Sequence, residues 1–209
     1  MRPAPPDGSL DKLLRSKYGY VAGVDEAGRG ALAGPVTVAA VILDPAHPIG
    51  DLDDSKRLTP RQREHLAGAI RSRALAWTVA HRSPAEIDAT NILEATRSAM
   101  RQSVCALGVV PGMVVSDAVS LPGLPFPWLA EPRADARYCC VAAASILAKV
   151  SRDHLMRRLA IRFDAYAWAQ NVGYGSSPHL EALAREGPCC LHRRSFAPIR
   201  VLALPREAV

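Results

Sequence analysis

Asp25 and Glu26 stand side by side in the stretch GVDEAGRGALAGPV, at the end of an apolar run. One cation, Arg29, follows between Gly28 and Gly30. Asp117 closes a second apolar run, GMVVSD, and Asp135 precedes a long helical pattern. Carboxylates gathered at one edge of a sheet repel one another, and divalent cations relieve that repulsion. All-oxygen ligand sets select hard ions such as Mg2+ or Mn2+. Two such ions about 3.5–4 Å apart activate a water and stabilise a leaving oxygen on phosphorus. Each acid taken singly is more often a strand-end cap or turn residue, and periodicity does not select Asp117 over Asp51, Asp53 or Asp54. Adjacent strand residues point to opposite faces, so Asp25 and Glu26 share a site only where the strand breaks. Gly28 and Gly30 are placed to permit that break.

Several elements must position these residues. YVAGVD and the β-branched run GPVTVAAVIL read as strands joined through the acidic turn, and ALAWTVAH and GMVVSD as two more. LTPRQREHL starts a helix, with Thr59 as N-cap, Pro60 in the first turn and Gln62 completing a capping box. Ser83, Pro84 and Glu86 repeat that signal before a long helical stretch. Its Leu93, Met100, Val104 and Leu107 share one face, and Gly108 marks its end. The segment SLPGLPFPWLAEPRAD is either a loop or a loop with an edge strand. Residues 136–160 are helical, with Ala143, Ala144 and Ala148 allowing close packing. A loop and short helix capped by Ser177 and Pro178 follow, then the basic stretch LHRRSFAPIR. Strands mixed with helices give an α/β layer fold.

The chain carries 26 Lys and Arg against 20 Asp and Glu, a net charge of +6, which favours polyanionic partners. Apolar residues make up 49%, enough for a core. Five cysteines in no metal-binding spacing read as reduced thiols. No apolar leader stands at the start and no run reaches the ~18 apolar residues of a membrane helix. The expectation is a soluble cytoplasmic protein with residues 1–10 frayed.

GVDEAGRGALAGPVTVAAVIL resembles the first motif of ribonuclease HII, the type 2 ribonuclease H. LDDSKRLTPRQRE, AEIDATNILEATRSAM, VAAASILAKVSRDHLM, GYGSSPHLEAL and HRRSFAPI resemble further segments of that family, in the same order, across about residues 19–201. The resemblance implies a ribonuclease H-like fold: a five-stranded mixed sheet flanked by helices, with a small C-terminal helical portion. It divides the chain into a flexible N-terminus at 1–18, a catalytic core at 19–160, and a C-terminal portion at 161–209 contributing to substrate binding. The four catalytic and metal-binding carboxylates fall on Asp25, Glu26, Asp117 and Asp135, with Mn2+ or Mg2+ as cofactor in a two-metal site. Gly28, Arg29 and Gly30 would read a ribonucleotide's 2′-OH, the group that separates RNA from DNA. Tyr174 would pack on the sugar at an RNA–DNA junction, and Lys56 would contact a phosphate. The implied partners are RNA–DNA hybrids and ribonucleotide-containing DNA duplexes. The chain is expected to act as a monomer, and VLALPREAV shows no clear replication-clamp motif. Three departures from the family pattern stand out: Ala118 and Ala134 where glycine is common, and Val172 where lysine is common.

Two other enzymes and a binding protein are the rivals. The type 3 ribonuclease H usually has lysine at the position of Arg29 and an extra N-terminal domain. A non-catalytic hybrid-binding module would lack one of the acids. A P-loop phosphotransferase would need a G-x-x-x-x-G-K-[ST] segment, which does not occur. His154, His179 and His192 read as non-catalytic, with His192 in a structural hydrogen bond. Ser145 reads as structural, and Arg193 and Arg194 as general basicity.

Overall fold

The computed structural model describes residues 4–202 of the chain. Residues 1–3 of the proline-rich start and 203–209 of VLALPREAV lie outside the described residues. Five strands form one sheet in the order β3-β2-β1-β4-β5. They are β1 (Val21–Ala27), β2 (Val36–Ile42), β3 (Ala76–Arg82), β4 (Met113–Asp117) and β5 (Trp128–Glu131). β2 is antiparallel to both β1 and β3, while β4 is parallel to β1 and β5 to β4. A short loop turns β1 back into β2. The parallel pairing of β1 with β4 needs a crossover, which helices provide. Val24 pairs with Ser116, so the next residues, Asp25 within β1 and Asp117 at the end of β4, lie beside each other on neighbouring strands.

Strand periodicity divides the core into two layers. Ala22, Val24, Val38 and Ala40 pack with Ala99, Met100 and Val104 of α4 (Ile92–Cys105). Ala27, Ala39 and Val41 pack with α2 (Pro60–Arg73) and α5 (Cys139–Ala160). Each large side chain buried there contributes about 1.5–3 kcal/mol. Gly23 lets α5 lie directly on β1, since a Cβ there would stand 2.2 Å from the backbone carbon of Cys140.

The capping boxes form as expected: Thr59 with Gln62, and Ser83 with Glu86. The stretch after Ser83 is two helices, however, α3 (Pro84–Ala89) and α4. Thr90 leaves helical geometry, and the Asn91 side chain caps α4 by accepting from the Glu94 N–H at 2.9 Å. The proline-rich segment resolves into a loop with an edge strand, β5. The C-terminal short helix, here numbered after α6 (Trp168–Asn171), is α7 (Ser177–Glu186), and its N-cap is Ser176, one residue before the expected Ser177.

The N-terminus corrects the expectation of a flexible 1–18. Ser9–Tyr18 is a helix, α1. Asp11 accepts hydrogen bonds from the N–H groups of Cys139 and Cys140 at 2.8 and 2.9 Å. Tyr138, the N-cap of α5, supplies no side-chain cap of its own. A carboxylate from the other end of the chain therefore satisfies two orphan donors and meets the positive end of the helix dipole. Among the described residues, no helix is long and apolar enough to cross a membrane.

Candidate active site

Asp25 lies on the α5 side of β1, between Gly23 and Ala27, and Glu26 is the next residue of the same strand. The strand does not break between them; it runs to Ala27. Both acids nonetheless line one cleft of about 370 Å3, together with Gly28, Arg29, Gly30, Ser55, Lys56, Asp117, Ser145, Lys149 and Tyr174. The Asp25 carboxylate accepts from the Glu26 N–H at 2.8 Å. Glu26 reaches Arg29 at 3.2 Å. Asp117 accepts from the Ala134 N–H at 3.1 Å, which ties the end of β4 to the turn that carries Asp135. Asp135 does not line this cleft but couples electrostatically to Asp117 and Lys56, and its side chain meets that of Asp54.

Asp25, Glu26 and Asp135 are costly to ionise. Burial, then the charges of Glu26, Asp117 and Asp135, raise Asp25 well above the usual carboxylate range. Burial raises Glu26 as well, against the opposing pull of Arg29. Burial, Asp54 and Asp117 push Asp135 up to about 6. Lys56 also pays for partial burial, but the surrounding Asp54, Asp135, Asp25 and Asp117 hold its pKa above the ordinary value. It therefore stays charged among the acids as their internal counter-ion.

The donor set suits a hard divalent cation: it is all oxygen and has excess negative charge. Glu26 Oε2 is buried with no hydrogen-bond partner, an orphan that a cation would satisfy. Among the described residues no three His, Cys, Asp or Glu side chains are gathered as a closed metal site. Asp25, Glu26 and Asp117 line the cleft, and Asp135 lies outside its lining.

Two buried arginines hold the Gly-rich loop that lines the cleft. Arg193, fully buried, donates to the carbonyls of Gly28, Arg29 and Gly34 at 2.7, 2.7 and 3.0 Å. Arg152, also fully buried, donates to those of Ala33, Pro35 and Val172 at 3.1, 2.9 and 2.8 Å. Its guanidinium also sits over the Tyr174 ring, 5.4 Å from the centroid. Gly28 has φ 89°, and a Cβ there would fall 1.9 Å from Arg152 Nε. Arg193, expected to supply general basicity, is instead a structural clamp. Arg194 is exposed, and its N–H donates to Asp88 at 2.8 Å.

Backbone contacts join the Gly-rich turn to Tyr174. Leu32 and Ala33 both donate to Gly173 O, at 2.8 and 3.2 Å, and Ala33 bridges His192. Two of the unusual residues carry strain: Ala118 has φ 56° and Val172 φ 43°. The left-handed region disfavours any Cβ and a β-branched residue most, which explains why glycine suits position 118. Ser145 is structural as expected, bonded at 2.8 Å to Ser55 and so holding the Lys56 loop to α5.

His154 pairs with Glu64 at the surface at 2.6 Å, away from the cleft, whereas His179 and His192 are buried against each other, 3.1 Å apart. Burial, then the neighbouring His179, depresses His192 to about 4. The unfolded chain binds that proton more readily, so this ring's contribution to stability is full above pH 6.5 and is lost as pH falls through about 4. A proton NMR titration of His192 should show its midpoint near 4; a midpoint near 6.5 would refute the buried neutral pair.

Residues 54, 149, 152 and 193 were not singled out for these places by the sequence reading. One signal was available: Ser145, Lys149, Arg152 and Met156 repeat at helical spacing on a single face of α5.

The model of the family described as Ribonuclease HII matches residues 22–199. Ribonuclease HII of Thiobacillus denitrificans is 52% identical over 180 residues, 86% of this chain and 88% of that protein. The crystal structure of ribonuclease H2 from Pyrococcus horikoshii matches with TM-score 0.75 and 29% identity, over 88% of this chain and 96% of that one. RNase HII of Archaeoglobus fulgidus, solved in complex with PCNA, matches with TM-score 0.72 and 29% identity, over 85% and 95%. The match takes in every strand of the sheet, the acidic cleft and the arginine-clamped loop, and on that extent the chain is a nuclease belonging to the ribonuclease HII family.

Proposed function

We propose that the protein is an endoribonuclease that hydrolyses the RNA strand of RNA–DNA hybrids and cuts 5′ to single ribonucleotides embedded in duplex DNA. The products would carry a 3′-hydroxyl and a 5′-phosphate. One observation carries this reading: the acids Asp25, Glu26 and Asp117 share a single cleft with Gly28, Arg29, Gly30 and Tyr174. On this reading, phosphodiester chemistry and sugar recognition would act on the same nucleotide.

Asp25, Glu26, Asp117 and Asp135 would hold Mg2+ or Mn2+, which when bound supplies an activated water and charge stabilisation at the leaving oxygen. The chain's own residues do the rest. Arg29 is half-exposed, and among the described residues its side chain bonds Glu26 alone at 3.2 Å, so its fork would turn readily onto a phosphate. Gly30 is exposed at the cleft with nothing within 4 Å of where a Cβ would stand, so its N–H would reach a sugar or phosphate unobstructed, whereas Gly28 is buried against Arg152. Tyr174 offers a half-exposed ring already stacked on Arg152, a flat surface for a deoxyribose. Lys56 would meet a backbone phosphate as the acids' negative charge is taken up. Binding should weaken with salt, as phosphate contacts do.

The deciding assay uses a DNA duplex with one internal ribonucleotide. Cleavage 5′ to it, dependent on Mg2+ or Mn2+, supports the reading; absence of cleavage by folded protein with either ion defeats it. Tyr174→Ala should lower kcat/KM on that duplex by about 100-fold through lost positioning, with unchanged binding of Mn2+ by calorimetry. Unaltered turnover would make Tyr174 a bystander.

A further inference from the structure

We infer that His179 is a positioning residue for this reaction, acting through Tyr174, and that His192 and Trp168 hold it in the one tautomer able to do so; the inference rests on the function proposed above. All three side chains are fully buried. Nδ1 of His179 lies 2.9 Å from the carbonyl oxygen of Tyr174. A carbonyl only accepts, so Nδ1 carries the proton and Nε2 of the neutral ring is left as an acceptor. Two N–H groups meet that acceptor. Trp168 Nε1 stands 3.2 Å away and His192 Nε2 3.1 Å away. His192 in turn accepts at Nδ1 from the Cys189 N–H at 3.0 Å, so its own proton must sit on Nε2, aimed at His179. The chain of donors runs one way only, from Cys189 through His192 and His179 to Tyr174.

This arrangement matters because Tyr174 sits in irregular backbone. Val172 and Gly173 before it both have positive φ, 43° and 86°. The ring is held on one side by Arg152. Its carbonyl accepts from the Ser176 N–H at 2.8 Å, a contact within the same loop, and from His179, which stands on α7. His179 is thus the side chain that fixes this loop's carbonyl to a regular element. Stacking restrains the pair further, with Tyr166 parallel to Trp168 at 5.2 Å and edge-on to His192 at 4.7 Å.

The test is a double-mutant cycle on the one-ribonucleotide duplex. His179→Phe keeps the ring's bulk and removes the donor. It should lower kcat by about 10- to 100-fold in the otherwise native protein. In the Tyr174→Ala background it should change kcat by less than about twofold, because the group it positions is gone. His179→Asn, whose amide nitrogen falls where Nδ1 does, should restore kcat to within about threefold of the native protein. Equal losses in both backgrounds, or native turnover by His179→Phe, overturn the inference. So does failure of both variants to fold, which would show a structural role only. If the native protein does not cleave the duplex, the proposed function fails instead. The Tyr174 ring resonances of the free protein then decide: shifting and broadening in His179→Phe support the inference, and unchanged lines overturn it.

Discussion

Asp25→Asn should reduce cleavage of a one-ribonucleotide duplex by about three orders of magnitude or more, while leaving a folded protein that is more stable than the native one without divalent ions. The loss follows from removing a carboxylate whose charge the chemistry at phosphorus requires. The gain follows from its surroundings. Asp25 is buried, and the charges of Glu26, Asp117 and Asp135 add to the burial in raising its pKa. A carboxyl raised in the folded state is most stabilising while protonated, and that stability is lost as pH rises through its folded pKa. At assay pH it therefore weighs against the fold. Asparagine carries no charge and keeps an oxygen for the Glu26 N–H. In EDTA the melting temperature should rise by about 2–4 °C, the shift that about 1 kcal/mol produces in a chain of this size. Retained turnover would remove Asp25 from the reaction, and a lower melting temperature would refute the burial of a strained acid.

Arg193→Leu should act in the opposite way, on the fold first. It strands the carbonyls of Gly28, Arg29 and Gly34, each now met by a guanidinium N–H. Each buried carbonyl left without a donor costs about 1–3 kcal/mol, so losing three together should lower the melting temperature by about 10 °C for this chain length. Lysine should recover only part of this loss. A compact ammonium on a flexible stem does not reproduce the planar fork that serves three carbonyls together. Denaturant unfolding of the three proteins checks the order. Native stability in Arg193→Leu would mean that water replaces the clamp at no cost.

Strands β1–β4, the capping boxes and the acidic pair on β1 were legible because their causes are local. β2 is apolar but for Thr37 and buried throughout, and Thr59 and Ser83 each find the partner three residues on. What escaped was carried by distant partners. Asp11 looks like an ordinary polar residue until α5 is brought to it. Arg193 sits in a basic run, and nothing in that run says it faces three carbonyls on the far side of the sequence. The Asn91 break was missed for another reason: the apolar face of α4 continues the spacing begun before it, so periodicity conceals the cap. At the cleft, residue types pointed to Asp25 and Glu26, while the choice of Asp117 and Asp135 over Asp54 came from family resemblance. The folded chain shows why composition could not choose, since Asp54 stands in contact with Asp135.

The contact between Asp11 and the first turn of α5 also bears on the order of assembly. Asp11 leaves the ribosome 128 residues before its first partner, Cys139. A ten-residue helix with no fully buried side chain has little to hold it in water alone. During synthesis α1 must therefore wait, and it docks only after the central helix has emerged and settled on β1. It closes the fold as a late fastening, so a fusion partner placed ahead of it burdens the last step of maturation and spares the sheet that forms before.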